Sequence, residues 1–253
     1  MKKIFAATLA AGLAVSSSFV AAKEWKEVRL AVDVPYEPFE YKAPDGSLTG
    51  FEIDLGNAVC AEMQVKCEWV IQGWDGIIPG LQARKYDAIF SSMSINEKRK
   101  KKVLFSEPYY NTPSSWFGKD SDKDLDVSSK DALKGKVIGV QRATVQDDYV
   151  TKEFGSVAEI KRYKTADDLA LDLTGGRLDL VFLDYPVGES TIVKKDGFNS
   201  ISDTIQIGDG VGVAVRKRDK DLADMFNKAL ATVKTNGTYD TIMKKYFTYD
   251  IKM

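Results

Sequence analysis

The chain has 253 residues, enough for one or two domains with their own hydrophobic cores. Lys and Arg total 36, Asp and Glu total 37, and there is no histidine. This charge balance argues against nucleic acids and anionic membrane surfaces as partners. A chain without histidine cannot contain Ser-His or Cys-His nucleophiles or the usual zinc sites. No Asp/Asn loop has calcium-type spacing, so we expect neither a metal nor a cofactor.

The first 22 residues have the parts of a secretory signal peptide. Met1–Lys3 is basic, Ile4–Val15 is mostly apolar, and Ser16–Ala22 ends in small residues. We expect cleavage before Lys23, which leaves 34 basic and 37 acidic residues and a formal charge of −3. No later stretch is long and apolar enough to cross a membrane, so we expect a soluble, exported protein without membrane insertion.

Two cysteines, Cys60 and Cys67, lie seven positions apart. In an exported chain this spacing predicts a disulfide that joins the end of a helix to the following strand. The alternative, a metal site built on two cysteines, needs further ligands.

Strands and helices alternate along the sequence, which predicts an α/β fold. Pro35 and Pro38 place an extended loop after the first strand, and Lys119–Ser129 is a polar loop. The predicted elements are strand Val28–Val34, helix Phe51–Met63, strand Val65–Ile71, helix Trp74–Arg84, strand Tyr86–Phe90, strand Lys136–Val140, a helix from about Thr144, strand Ile160–Tyr163, helix Ala166–Leu173, strand Leu178–Phe182, strand Gly212–Arg216 and helix Leu222–Thr235.

A weak internal repeat indicates two lobes built on one plan. Leu81–Phe90 and Leu173–Phe182 share Leu, Asp and Phe at equivalent positions. In this register Asp184 corresponds to Ser92, so each lobe presents a polar group just beyond a strand end. Because ligands of such sheets lie beyond the carboxyl ends of strands, we expect a binding cleft between the lobes. The C-terminal helices are expected to pack back on the first lobe.

The segment Asp87–Arg99 combines a strand end, several hydroxyl groups, a helix start and a guanidinium. Ser94 and Glu97 have the spacing of a helix capping box, and Arg99 follows in the first turns. Such a combination suits a small anion, for example the carboxylate of an amino acid. Nothing in this segment resembles a catalytic nucleophile.

The ordered set of motifs resembles periplasmic solute-binding proteins for polar amino acids, in particular the branch that binds lysine, arginine, ornithine and histidine. The resemblance covers essentially the whole chain after the predicted signal peptide. Its markers are Asp33-x-x-Tyr36-x-Pro38-Phe39, Gly50–Gly56, Cys60 with Cys67, Asp87–Ile89, Ser91–Arg99, Gly139-Val140, Leu178-Asp179 with Asp184, and Asp240 with Lys244–Phe247.

The resemblance implies the two-lobed periplasmic binding protein fold of type II, which closes on its ligand about two crossing strands. It implies a first lobe of residues 23–111 and 209–253 and a second lobe of residues 112–208. It further implies a periplasmic monomer that is not an enzyme and that delivers its ligand to an inner-membrane ABC permease.

The resemblance also implies a role for each predicted binding residue. Arg99 clamps the ligand α-carboxylate with help from Ser94 and from the helix start at Thr144, and Asp184 binds the α-ammonium. The predicted binding residues are Asp33, Tyr36, Glu52, Trp74, Ser91, Ser92, Ser94, Arg99, Gln141, Thr144 and Asp184.

At the other end of the ligand, Tyr36 and Trp74 enclose the side chain, since aromatic faces favour a cation or a guanidinium plane. Asp33, with Glu52 behind it, meets a cationic tip. A neutral ligand would leave at least one of these acids poorly paired.

One segment, Gln141–Val145, departs from the pattern of the family. Gln141 places an amide near the side-chain end, where the basic branch often has an apolar residue. Arg142 either points to solvent or faces the cleft, where it would favour a ligand with an extra carboxylate, such as an opine.

We therefore expect a receptor for a basic L-amino acid, with arginine first and lysine, ornithine or histidine next. The alternatives are a neutral polar amino acid, an opine, or a periplasmic enzyme similar to cyclohexadienyl dehydratases. Such an enzyme needs a general acid over the substrate ring.

Overall fold

The computed structural model describes residues 24–253, so the predicted signal peptide lies outside the described residues. The strands are β1 Glu27–Val32, β2 Tyr41–Lys42, β3 Leu48–Thr49, β4 Lys66–Ile71, β5 Ala88–Ile89, β6 Leu104–Phe105, β7 Ser114–Lys119, β8 Val137–Gln141, β9 Glu159–Tyr163, β10 Leu180–Asp184, β11 Phe198–Ser200 and β12 Ala214–Val215. The helices are α1 Phe51–Glu62, α2 Ile77–Gln82, α3 Glu97–Lys100, α4 Val145–Phe154, α5 Ala166–Thr174, α6 Tyr185–Gly188, α7 Lys220–Thr235 and α8 Thr238–Tyr246.

The first sheet has the strand order β4-β1-β5-β12-β6. Strand β1 is parallel to β4 and β5, and β12 is antiparallel to β5 and β6. Leu30, Ala31 and Val32 of β1 are all buried, as expected for a central strand covered by helices on both faces. This sheet, with α1 and α2 packed on it, forms the core of the first lobe.

The second sheet has the strand order β11-β7-β10-β8-β9. Strand β8 is parallel to β9 and β10, whereas β7 is antiparallel to β10 and β11. Helices α4 and α5 pack against β8 and β10 and complete the second lobe. The predicted α/β class and the two-lobed fold are therefore confirmed.

Two antiparallel segments connect the lobes. Tyr110 bridges to Val211 and Ser114 bridges to Ile205, so the chain crosses between the sheets in two adjacent strands. The predicted lobe boundaries fall on these crossings and stay a prediction. After the second crossing, α7 and α8 pack against α1 and against each other.

A disulfide between Cys60 and Cys67 joins α1 to β4, as predicted. Stacked and edge-to-face rings fill the space between α1 and the C-terminal helices, and they include Phe39, Phe51, Tyr110, Tyr239 and Phe247. These rings support, from behind, the loop that carries Tyr36 and Glu40.

Among residues 24–253, no helix has the length and hydropathy of a membrane span.

Several features of the fold differ from the sequence prediction, and the short strands β2, β3, β6 and β11 are among the elements that were not predicted. The predicted helix Trp74–Arg84 is a 3₁₀ turn over Trp74–Gly76 followed by the short helix α2, which ends at Gln82. Strand β7 was not predicted, because five of its six residues are buried and the run therefore lacks polar alternation.

Candidate ligand-binding site

A cavity lies between the two lobes, a common place for a small-ligand site. Ten of the eleven predicted binding residues line it, and Glu52 does not. The first lobe contributes Asp33, Tyr36, Glu40, Trp74, Ser91, Ser92, Ser94 and Arg99, and the second contributes Gln141, Thr144, Val145, Gln146 and Asp184.

Arg99 is the basic side chain among these lining residues, and it lies on the short helix α3. Its Nη1 donates to the Ser94 carbonyl oxygen at 2.8 Å, and its guanidinium carbon lies 5.1 Å from the centre of the Trp74 ring. Only 8% of Arg99 is exposed. Burial lowers the pKa of Arg99 to about 10, so the guanidinium remains charged at neutral pH.

The predicted capping box at the start of α3 is wrong. The N-cap residue is Asn96, whose Oδ1 accepts from the Arg99 backbone N–H at 2.8 Å. Ser94 lies two residues earlier, where it bridges to Val211, and its carbonyl oxygen holds the Arg99 side chain instead. Asn96, a residue type that commonly caps helices, therefore begins α3 in place of Ser94.

Asp184, at the end of β10, is the fully enclosed acid of the second lobe. Its Oδ2 accepts from the Tyr36 hydroxyl at 2.5 Å, across the interface between the lobes. Its Oδ1 accepts from Gln146 Nε2 at 2.9 Å and from Thr112 Oγ1 at 3.3 Å. Burial raises the pKa of Asp184 to about 6, against the lowering effect of these donors and of Arg99.

Asp33 is the second acid of the cavity, immediately after β1. Gln141 Nε2 donates to Asp33 Oδ2 at 2.9 Å and to the Lys164 carbonyl oxygen at 3.1 Å. Burial raises the pKa of Asp33 to about 6, while the Gln141 amide lowers it. The unusual residue Gln141 therefore pairs across the cleft with the acid that was predicted to select the ligand.

Thr144 begins helix α4 at the cavity wall. Its Oγ1 accepts from the Asp147 backbone N–H at 3.1 Å and donates to the Gln141 carbonyl oxygen at 2.7 Å. The preceding residue, Ala143, has a left-handed φ of 62°, a conformation that glycine adopts with less strain. The helix start thus faces the cavity, although the Thr144 hydroxyl is already engaged in capping.

Glu52 lies one layer behind the cavity wall rather than on it. Its carboxylate accepts from the Ser92 backbone N–H at 2.9 Å and from the hydroxyls of Tyr109 and Tyr110. The acid that lines the cavity there is Glu40, which sequence reasoning missed. Its position depends on the bridge between Tyr36 and Glu40, which folds the proline loop back on itself.

Gln146 and Val145 were also missed. One signal could have identified them, because both residues lie in the first turn of the helix that begins at Thr144, and Thr144 was a predicted binding residue. The first turn of α4 brings Gln146 to the carboxylate of Asp184, and its Nε2 also donates to Ser114 Oγ at 2.9 Å.

Arg142 lies outside the cavity lining, at the rim of the cleft. Its Nη1 is 3.3 Å from Asp75 Oδ2 in the first lobe, and its side chain is 45% exposed. Two further ion pairs cross the rim, Lys98 with Asp148 at 2.9 Å and Lys194 with Glu37 at 3.0 Å. Of the two predicted orientations of Arg142, the structure shows the solvent-facing one.

Within residues 24–253, no group of acidic or cysteine side chains is placed to hold a metal ion.

Two lobes that enclose a polar cavity, with a buried guanidinium and two buried aspartates, are the arrangement of a two-lobed ligand-binding protein. Residues 28–249 match the bacterial extracellular solute-binding proteins, family 3, and the chain belongs to this family.

Two curated relatives and one solved structure illustrate the similarity. The L-arginine-binding protein of Pseudomonas aeruginosa is 42% identical over 234 residues, which cover 89% of this chain and 90% of that protein. The lysine/arginine/ornithine-binding periplasmic protein of Escherichia coli is 37% identical over 259 residues, which cover 99% and 98%. An ancestral arginine-binding protein bound to arginine superimposes with a TM-score of 0.81 at 34% identity, covering 88% of this chain and 98% of that one.

Proposed function

We propose that this protein is the periplasmic receptor of an ABC importer and binds a cationic L-amino acid, arginine before lysine, ornithine and histidine. The observation that carries the proposal is the charge of the cavity wall. Arg99 and Asp184 can pair with the α-carboxylate and α-ammonium of an amino acid, and Asp33 can then pair with a cationic side chain. The relatives named above bind such amino acids, which supports the same ligand class here.

At the amino-acid end, Arg99 binds the α-carboxylate and Asp184 the α-ammonium. A guanidinium presents its N–H donors in a planar fork that matches a carboxylate, whereas a lysine would act as a point charge. Asp184 already accepts from Tyr36 and Gln146, and these donors hold its carboxylate in place for the ammonium.

At the side-chain end, Asp33 supplies the counter-charge, while the rings of Tyr36 and Trp74 enclose the methylene groups. Gln141 contacts Asp33 from the opposite lobe, so closure brings both groups to the ligand together. An arginine side chain offers more hydrogen-bond donors to this pair than a lysine ammonium, and this supports arginine as the first choice.

The alternatives are less well supported by the same geometry. A neutral amino acid would leave Asp33 paired with an amide alone. An opine needs a second cation, and Arg142 is engaged with Asp75 at the rim. An enzyme similar to cyclohexadienyl dehydratases needs an acid over a substrate ring, whereas Asp33 and Asp184 are placed to pair with cationic groups.

A thermal-shift screen of amino acids tests the proposal. A ligand that binds only the folded protein raises Tm in a dose-dependent manner. We expect the largest shift with arginine and smaller shifts with lysine, ornithine and histidine. The proposal fails if these four give no shift while glutamine, glutamate or an opine does. Incubation with a cyclohexadienyl acid, monitored for an aromatic product, tests the enzymatic alternative.

The cellular part of the proposal is tested separately. Cell fractionation of the full-length chain should place the mature protein, beginning at Lys23, in the periplasm. Sedimentation of that protein should show a monomer. Arginine uptake by cells should fall when the protein is deleted and recover when it is restored.

A further inference from the structure

Behind the cavity wall, a row of hydroxyl groups joins two buried carboxyls, Glu40 and Glu52. Ser92 Oγ lies 3.1 Å from Glu40 Oε2, the Tyr110 hydroxyl lies 2.8 Å from Ser92 Oγ, and Glu52 Oε1 lies 2.7 Å from the Tyr110 hydroxyl. All four side chains are buried. The row begins on the cavity, at Glu40, and ends inside the first lobe, at Glu52.

Counting hydrogens along this row requires one more than the hydroxyls supply. Three oxygen–oxygen contacts within hydrogen-bond distance need three hydrogens, one in each contact. Ser92 and Tyr110 carry one hydroxyl hydrogen each, and an ionised carboxylate carries none. A hydrogen on one of the two carboxyls supplies the third.

The neighbouring contacts indicate which carboxyl carries it. Glu52 Oε1 also accepts from the Ser92 backbone N–H at 2.9 Å, a donor that cannot reverse, and from the Tyr109 hydroxyl at 2.8 Å. Glu52 is therefore surrounded by donors. Ser91 Oγ accepts from the Asp33 backbone N–H at 2.9 Å, so its own hydrogen points to Glu40 Oε1 at 2.7 Å. The remaining oxygen, Glu40 Oε2, faces Ser92.

We propose that Glu40 is a neutral carboxylic acid that donates from Oε2 to Ser92, while Glu52 is the ionised end of the row. The hydrogens then run in one direction, from Glu40 to Ser92, from Ser92 to Tyr110, and from Tyr110 to Glu52. Glu40 is thus a positioning residue, because it fixes the hydroxyls of Ser91 and Ser92 on the cavity wall.

The electrostatic surroundings agree with this assignment. Burial, followed by the negative charge of Glu52 and that of Asp33, raises the pKa of Glu40 well above its usual value. Burial also raises the pKa of Glu52, but only to about 7, because its three donors favour the ionised form. The other titratable neighbours of this network are four phenols, which are neutral at neutral pH: Tyr36, Tyr109, Tyr110 and Tyr239.

The consequence for recognition rests on the proposed function. With Glu40 neutral, the cavity wall carries Asp33, Asp184 and Arg99, a net charge of −1. An amino acid with a cationic side chain has a net charge of +1, so the closed complex is neutral. With Glu40 ionised, the closed cavity would enclose an unpaired negative charge, which is costly at low dielectric.

Carbon-13 NMR of the ligand-free protein, labelled at glutamate carboxyls, tests the proton directly. We expect one glutamate carboxyl carbon at the protonated position at neutral pH in the wild-type protein, and no such signal in Glu40→Gln. The inference is overturned if every glutamate carboxyl is ionised at neutral pH, or if the protonated signal persists in Glu40→Gln and disappears in Glu52→Gln.

Calorimetric titration with arginine tests the positioning role. Glu40→Leu removes both the donor and the acceptor, and should weaken binding by about tenfold. Glu40→Gln keeps an acceptor for Ser91 and a donor for Ser92, and should recover most of that loss. If Glu40→Gln binds as weakly as Glu40→Leu, Glu40 acts through a negative charge and the inference is wrong.

The two proposals fail in different ways. If the wild-type protein binds no cationic amino acid, the proposed function is wrong, while the NMR result on the ligand-free protein still decides the state of Glu40. If arginine binds and Glu40→Gln shows no recovery, only the inference about Glu40 is wrong.

Discussion

The inner wall and the outer rim of the cleft use the same kinds of charged side chain in different surroundings. Arg99, Asp184 and Asp33 are buried, each with less than a tenth of its surface exposed. The rim pair Lys98–Asp148 also links the two lobes, but both side chains are more than half exposed. Removing one partner from a buried set costs about 3–5 kcal/mol, whereas exposed pairs contribute about 0–1 kcal/mol. The inner wall should therefore decide what binds, and the rim should only adjust closure.

The largest expected effect is at Arg99. Arg99→Ala removes the only basic side chain among the lining residues, and should weaken binding of every amino acid by about 3–5 kcal/mol. Calorimetric titration with arginine, lysine and histidine measures the loss. Lys100→Ala, on the same short helix but exposed, is the matched control and should bind as the wild-type protein does. Binding by Arg99→Ala within tenfold of wild type would mean that Arg99 does not contact the ligand.

Lowering the pH should weaken arginine binding by less than Arg99→Ala does and by more than the substitutions at the rim do. Burial raises the pKa of both Asp33 and Asp184 to about 6 in the ligand-free protein, so both bind protons below that pH. A cationic ligand pairs with the ionised forms, and binding therefore releases protons. Between about pH 7.5 and pH 5, the arginine affinity should fall by about one to two powers of ten, because each group contributes up to tenfold per pH unit.

The same raised pKa values make the folding stability of the ligand-free protein depend on pH in the opposite direction from the arginine affinity. Its folded state retains protons that the unfolded chain has already lost, so its stability should fall as pH rises from about 4 to about 6 and then level off. Asp33→Asn should remove the contribution of Asp33 from both the pH dependence of arginine affinity and the pH dependence of stability. An arginine affinity that is flat over this pH range would show that neither aspartate meets a cation.

The smallest effects are expected at the rim. Arg142→Ala and Lys98→Ala each break one exposed ion pair and should weaken arginine binding by no more than about 1 kcal/mol, mainly by speeding dissociation. Added salt should remove most of that difference, since exposed charges are screened. Stopped-flow dissociation at low and high salt measures both quantities. A loss comparable with that of Arg99→Ala would remove the distinction between the wall and the rim.

Elements with regular periodicity were predictable because their signals are local. Helix α4 has its cap at Thr144, and helix α7 has its apolar stripe in the sequence itself. The same holds for Ser91–Arg99, where the strand end and the guanidinium lie close together in the chain. Strand β7 was not predictable in this way, because Ser114 and Ser115 are buried through contacts with Ile205, Gln146 and Ser200.

The acids of the first lobe show where local reasoning fails. Glu52 lies near the start of α1, and its helical position did not reveal whether it faces the cavity or the tyrosines behind it. Glu40 follows Pro38 in a loop, and its place on the wall requires both the turn back to Tyr36 and the serines that follow β5. Which acid reaches the cavity is decided by contacts between residues 40 or more positions apart.

The most direct test of the account compares arginine with citrulline, its neutral near-isostere, in the wild-type protein and in Asp33→Asn. If Asp33 is the counter-charge of a cationic side chain, calorimetry should show a preference for arginine of about 2–5 kcal/mol in the wild-type protein. Asp33→Asn should remove most of that preference while leaving citrulline binding nearly as it was. Equal affinity for the two ligands in the wild-type protein would contradict the account.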